Sequence, residues 1–216
     1  MQATTAPQAR YIGSFQTGSM LPPNRYIHIY SIFACLAAVS IDLTMAILMD
    51  RQSLLTTTIS DLAAGDYATA QDFGLILVAV AIALTGLVIW RMSSSVWSKG
   101  AAGLFMFAGP LIVFISLYEQ YSKQTPSGPL LHFWAVGAIG ISLAVALGLI
   151  AWQRGSGRPW FRWGTAVAAI IFLASGSATF GVSNEIIGLV ERFAAASLTL
   201  WLLAFHGGHL ATDDNW

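Results

Sequence analysis

Apolar residues run in six long stretches along the chain, broken by short polar segments, from Tyr26 to Met49, Phe73 to Trp90, Ala101 to Tyr118, Leu130 to Trp152, Trp163 to Val182 and Ile186 to Phe205. A helix needs roughly 20 mainly apolar residues to cross a hydrocarbon layer of about 30 Å. Each stretch therefore predicts one membrane-spanning helix, with the shorter second and third standing upright or extending a turn into the interface. Strands are excluded, because the alternation of a membrane barrel is absent and an open sheet edge in lipid would leave backbone groups unpaired. The predicted fold is all-α: a polytopic bundle of six transmembrane helices. Residues 1–25 form an irregular cytoplasmic tail, without the pattern of a signal peptide. Residues 26–206 make the membrane domain, and residues 207–216 a short second tail.

Composition agrees with the pattern and adds exclusions. Of the 216 residues 56% are hydrophobic and 9% charged, whereas a soluble domain carries roughly 25% charge. Ten basic residues balance ten acidic ones, so no basic excess calls for nucleic acid. The lone cysteine, Cys35, excludes a disulfide framework and a paired Cys-x-x-Cys zinc site. Position carries more than the total. With the N-terminus inside, Arg10, Arg25, Arg91, Lys99, Arg154, Arg158 and Arg162 all fall on the cytoplasmic side, and only Arg51 and Lys123 outside. Both termini are thus expected in the cytoplasm, with the bundle in a prokaryotic inner membrane. Most of the eight tryptophans lie toward span ends, as an interfacial belt.

Ionisable residues inside a span need a partner or a watery cavity, since each costs about 2.5–3.5 kcal/mol on insertion scales. Asp42 lies in the first span about 10 Å below its outer end. Glu191 and Arg192 lie at a matching depth in the sixth. Neighbouring helical residues point about 100° apart, so at least one of this pair must look to another helix. An Asp42–Arg192 bridge is expected, either as a clamp between spans or as the charged floor of an outward-facing pocket together with Glu191. Gly188, Arg192 and Ala196 recur at four-residue spacing, giving a face able to approach a neighbour closely. Gly140, Ala144 and Gly148 form a similar seam, read as tight packing. In the first outer loop, Ser60 or Asp61 is positioned to cap a short interfacial helix ended by Gly65, or to act as a lid over the pocket.

His132 opens the fourth span on the same side, where a hydrogen-bonded interfacial role and ligand contact are both open. His206 and His209 sit across the bilayer with His28. They are low-ranking metal candidates, because Gly207 and Gly208 favour a solvated helix end over a rigid ligand pair. No cofactor is predicted.

With these residues in hand, the chain resembles the bacterial and archaeal membrane family called domain of unknown function 998. The resemblance rests on Ile59-Ser60-Asp61-Leu62 followed by small residues, His132 at the head of the fourth span, and Gly188-x-x-Glu191-Arg192 in the last, and it covers about Tyr26 to Phe205. Where family members often show a Phe-Pro stretch with an acid after span three, this chain reads Tyr118-Glu119-Gln120-Tyr121. The resemblance implies a six-span membrane protein and draws interest to Ser60, Asp61, His132, Glu191 and Arg192, but it carries no reaction.

The residues leave three functions open. The leading one is binding of a lipid head group or small polar ligand in an outer-leaflet pocket lined by Asp42, Ser60, Asp61, His132, Glu191 and Arg192. The second is a non-catalytic accessory subunit packed against other membrane proteins, and the third an intramembrane hydrolase using Ser60 or a metal-bound water near His132. The expected partners are membrane lipids and membrane subunits.

Overall fold

The computed structural model describes residues 23–48, 54–64, 68–122, 127–153 and 159–211, with the side chains of 23–24 and 119–122 excepted. Residues 1–22 and 212–216 of the expected tails, and Asp50, Arg51, Gly65, Asp66, Lys123, Arg154 and Arg158, lie outside the described residues, as do the side chains of Glu119 and Tyr121. Among the described residues seven helices follow in order: α1 (Pro23–Leu48), α2 (Ile59–Ala63), α3 (Ala68–Met92), α4 (Val96–Ser122), α5 (Gly128–Trp152), α6 (Pro159–Ala178) and α7 (Ile187–Ala211). All but α2 are long and apolar enough to cross a membrane, so the chain is a multi-pass membrane protein. The spans expected to be short, α3 and α4, are extended at both ends to 25 and 27 residues. As a result Gln71 and Asp72, the latter expected in a loop, are buried within α3.

The six long helices form a closed ring in which α1 packs on α3 and α7, and α3 on α4, α4 on α5, α5 on α6 and α6 on α7 complete the circuit. Small residues set the closest crossing. A methyl group added at Gly86 would lie 2.6 Å from the Ala102 carbonyl oxygen, and one at Gly109 would lie 2.7 Å from that of Ala79. Two helices can approach this closely only where one of them carries no side chain at the crossing. Replacing Gly86 by leucine is therefore expected to destabilise the α3–α4 pair by about 1–3 kcal/mol. Thermal unfolding in detergent would read this as a lowered midpoint.

The two halves of the ring differ. Toward the start of α1 the interior is filled by Val88, Phe105, Leu147 and Leu202, all buried. Trp201 stacks on Phe105 at 5.5 Å between ring centroids and donates its indole N–H to the Thr165 hydroxyl oxygen at 2.9 Å. That bond satisfies a polar group which would otherwise be stranded in apolar surroundings. In the other half a cavity lies between the helices, partly open to the surroundings beside the exposed Ile141, Leu173 and Phe180, and α2 lies across that end against α1, α3, α4 and α7.

Candidate functional site

The site is built where the outer segment 54–64 meets the first turns of α7. Gly188 makes the approach possible: a β-carbon there would collide with the Thr57 carbonyl oxygen and lie 2.8 Å from the Thr57 carbonyl carbon. At Gly188 the small-residue face of the last span thus receives an irregular segment of backbone. The Leu189 N–H, one of the donors a helix start leaves unpaired, donates to the Leu55 carbonyl at 3.1 Å.

Arg192 and Glu191 diverge as adjacent helical positions must. Arg192 turns to α1, donating from Nε to Asp42 Oδ2 at 2.9 Å and from Nη2 to Asp42 Oδ1 at 3.1 Å. This is the expected bridge, made in the bidentate form that adds direction to charge attraction. Both side chains are only about one-eighth exposed, at 12% and 13%. Nη1 donates to three carbonyls, those of Thr57 at 2.6 Å, Leu54 at 3.1 Å and Gly188 at 3.3 Å. One guanidinium therefore ties α1, the segment before α2 and α7 together.

Glu191 turns to α2. Its Oε2 accepts the Ile59 N–H at 2.7 Å and its Oε1 accepts the Ser60 hydroxyl at 3.3 Å. The carboxylate of a distant helix thus satisfies the first N–H of α2, in a position favoured by the helix dipole. The cap itself is Thr58, not Ser60 or Asp61. Thr58 Oγ1 accepts the Asp61 N–H at 2.9 Å and the Thr58 N–H donates to Asp61 Oδ2 at 3.3 Å, a reciprocal capping box. Asp61 is exposed and held in that box, whereas Ser60 faces Glu191.

Beneath α2 lies a cavity of about 400 Å³, within the roughly 300–1,000 Å³ range of small-molecule sites. Its body is apolar, with Ile82, Ile112, Leu143, Phe172 and Leu198 in the wall. Ser60 and Glu191 stand at its α2 end. The expected floor of three charges is corrected here: Asp42 and Arg192 pair on the α1 side and do not line the space, which leaves Glu191 alone among the three. Gly140 is corrected as well. With Gly137 and Gly176 it lines the cavity, and a β-carbon at any of these glycines would meet nothing within 4 Å. Gly148, the other end of the supposed seam, opens on a second crevice between α5 and α6. Sequence reading missed these glycines because a small residue gives the same signal beside a neighbouring helix and beside a void. His132 stands half-buried in the first turns of α5, one turn before the lining residue Val136, and is not in the cavity wall.

At the opposite end, His28, His206 and His209 come together. They are buried, at 1%, 0% and 4% exposure, because α7 continues as a helix through Gly207 and Gly208 where a solvated end was expected. Thr85 gives its hydroxyl hydrogen to the Ala81 carbonyl at 2.7 Å, so it accepts from His206 Nε2 at 2.9 Å. His206 Nδ1 then accepts from His28 Nδ1 at 2.7 Å, while His209 Nδ1 donates to the Phe205 carbonyl at 2.7 Å. His28 and His209 stack, their rings 12° from parallel. Two nitrogens bound tetrahedrally to one zinc would stand about 3.3 Å apart. The shorter His28–His206 separation is a hydrogen bond, and among the described residues no group of three or more His, Cys, Asp or Glu is arranged to hold a metal ion.

Residues 32–206 match the sequence pattern of a family described as protein of unknown function, DUF998. The chain belongs to this family. The match takes in Asp42, Ser60, Asp61, His132, Glu191, Arg192 and His206, and so covers both ends of the ring of this DUF998 protein. No curated protein and no solved structure matches the DUF998 chain.

Proposed function

We propose that this DUF998 protein binds an amphiphilic molecule in the cavity under α2, with the polar group at Ser60 and Glu191 and the hydrocarbon part among the apolar residues below. One observation carries the reading: a largely apolar cavity with a carboxylate and a hydroxyl at one end, lying within a ring of membrane-spanning helices. Such a space suits a molecule that is apolar along its length and polar at its tip. In this reading the α2 end faces the outer leaflet of a prokaryotic inner membrane and both termini are cytoplasmic, an orientation supported by the bias of basic residues. Hydrolysis is the weaker reading, since Ser60 gives its hydroxyl hydrogen to Glu191 and is not aligned with an imidazole base.

Gly140 provides the test. Its β-carbon would enter open space, so Gly140→Trp fills the cavity without a backbone collision. The variant is expected to keep its helices and thermal midpoint while losing lipid-like molecules that accompany the wild type, read by mass spectrometry from native lipid particles. An unchanged set of bound molecules in a folded Gly140→Trp protein would refute the cavity as their site.

A further inference from the structure

We infer that the cavity selects an amphiphile carrying a primary ammonium group, seated on the Glu191 carboxylate. The inference rests on the amphiphile-binding reading and adds the chemistry of the head group.

The charges around α2 are unevenly matched. The Arg192 cation is held by both oxygens of Asp42, and its remaining nitrogen by three backbone carbonyls. Its charge is thereby engaged on the α1 side, outside the cavity wall. Glu191 contacts only neutral donors, the Ile59 N–H and the Ser60 hydroxyl, and among the described residues no cation forms an ion pair with it. A carboxylate offers about four acceptor positions, of which these donors take two. A charge facing an apolar space calls for a counter-charge or further hydrogen bonds.

The head group that supplies both is an ammonium, with three donors, one positive charge and no acceptor. Ser60 Oγ, beside the carboxylate, presents a further oxygen that can accept. A phosphate or carboxylate head would meet the opposite situation: like charge from Glu191 and, among the described residues, no available guanidinium. An alcohol would satisfy one acceptor position and leave the charge uncompensated. The site therefore ranks amine above alcohol above carboxylate on one hydrocarbon chain.

Dodecylamine, dodecanol and dodecanoate, added to the whole protein in phosphatidylcholine nanodiscs, test the ranking by native mass spectrometry, with Gly140→Trp as the background for partition into lipid. Dodecylamine is expected to bind the wild type about tenfold or more tighter than dodecanoate, the size of effect seen for a desolvated charge contact. In Glu191→Gln, which keeps an oxygen for the Ile59 N–H, the amine should fall to the level of the alcohol. Equal or stronger binding of dodecanoate to the wild type overturns the head-group assignment without any variant, as does an amine preference that survives in Glu191→Gln. Dodecanol binding without amine preference would leave the amphiphile site standing and remove only this inference. Failure of all three probes to exceed the Gly140→Trp background would remove both.

Discussion

Arg192→Ala is expected to lower the stability of the folded protein by about 3–5 kcal/mol, the cost of removing one partner from a largely buried ion pair. The loss has two sources. Asp42 is left as a carboxylate on a membrane-spanning helix without its cation, and the carbonyls of Leu54, Thr57 and Gly188 lose their shared donor. Asp42→Asn should cost less, because an amide oxygen still accepts one bond from the guanidinium and Nη1 keeps its three carbonyls. Thermal unfolding in nanodiscs measures both. The double variant Arg192→Ala/Asp42→Asn should recover part of the single-variant loss, since the stranded charge is gone, giving a coupling energy of about 0.5–3 kcal/mol. Additive losses in that cycle would show that the two side chains do not act as a pair. Protection of residues 54–64 against hydrogen exchange should also fall in Arg192→Ala and largely persist in Asp42→Asn, because only the first removes the carbonyl contacts.

That pair was legible in the sequence for a simple physical reason. Asp42 and Arg192 are opposite charges at equal depth in two spans, and lipid offers such groups no alternative but each other. The six helices were legible on the same ground, as length and apolarity leave little choice in a bilayer. What the sequence left undetermined were relations between faces. With Arg192 on Asp42, nothing in the run Ile186–Phe205 says on which side of it Glu191 lies, toward the interior of the ring or away from it. Thr58 was passed over because Ser60 and Asp61 are equally good capping types, and only the reciprocal bonds with Asp61 single it out. His28, His206 and His209 were placed at one end correctly but read as solvated. Glycines lower helix propensity, yet packing within a ring overrides that preference and carries α7 on to Ala211. Gly140 shows the same ambiguity from the other side, since the absence of a side chain is compatible with contact and with empty space.

Gly188→Ala separates helix stability from docking of the outer segment, because the two should change in opposite directions. Within α7 the substitution favours the helix, as alanine exceeds glycine by about 1 kcal/mol in propensity. Against the outer segment it is unfavourable: the new methyl group collides with the Thr57 carbonyl oxygen and lies 2.9 Å from the Thr57 nitrogen. These are backbone atoms of a buried residue, so no rotamer change relieves the overlap, and the segment must move as a unit. Overpacking of this kind costs about 1–3 kcal/mol, and more where backbone is forced to shift. Lifting Thr57 also draws Ile59 and Ser60 away from Glu191 and takes one carbonyl from Arg192. Hydrogen exchange should therefore accelerate across residues 54–64 while the six long helices keep their protection and the helical circular dichroism is undiminished. Gly188→Val should extend the effect, adding a branched side chain to the same collision. If α2 closes the end of the cavity, both variants should also exchange bound dodecylamine faster than the wild type, through a weaker lid with an intact wall. Full protection of residues 54–64 in Gly188→Ala would mean that the segment is held by something other than its contact with α7, and the account of Glu191 as its anchor would fall with it.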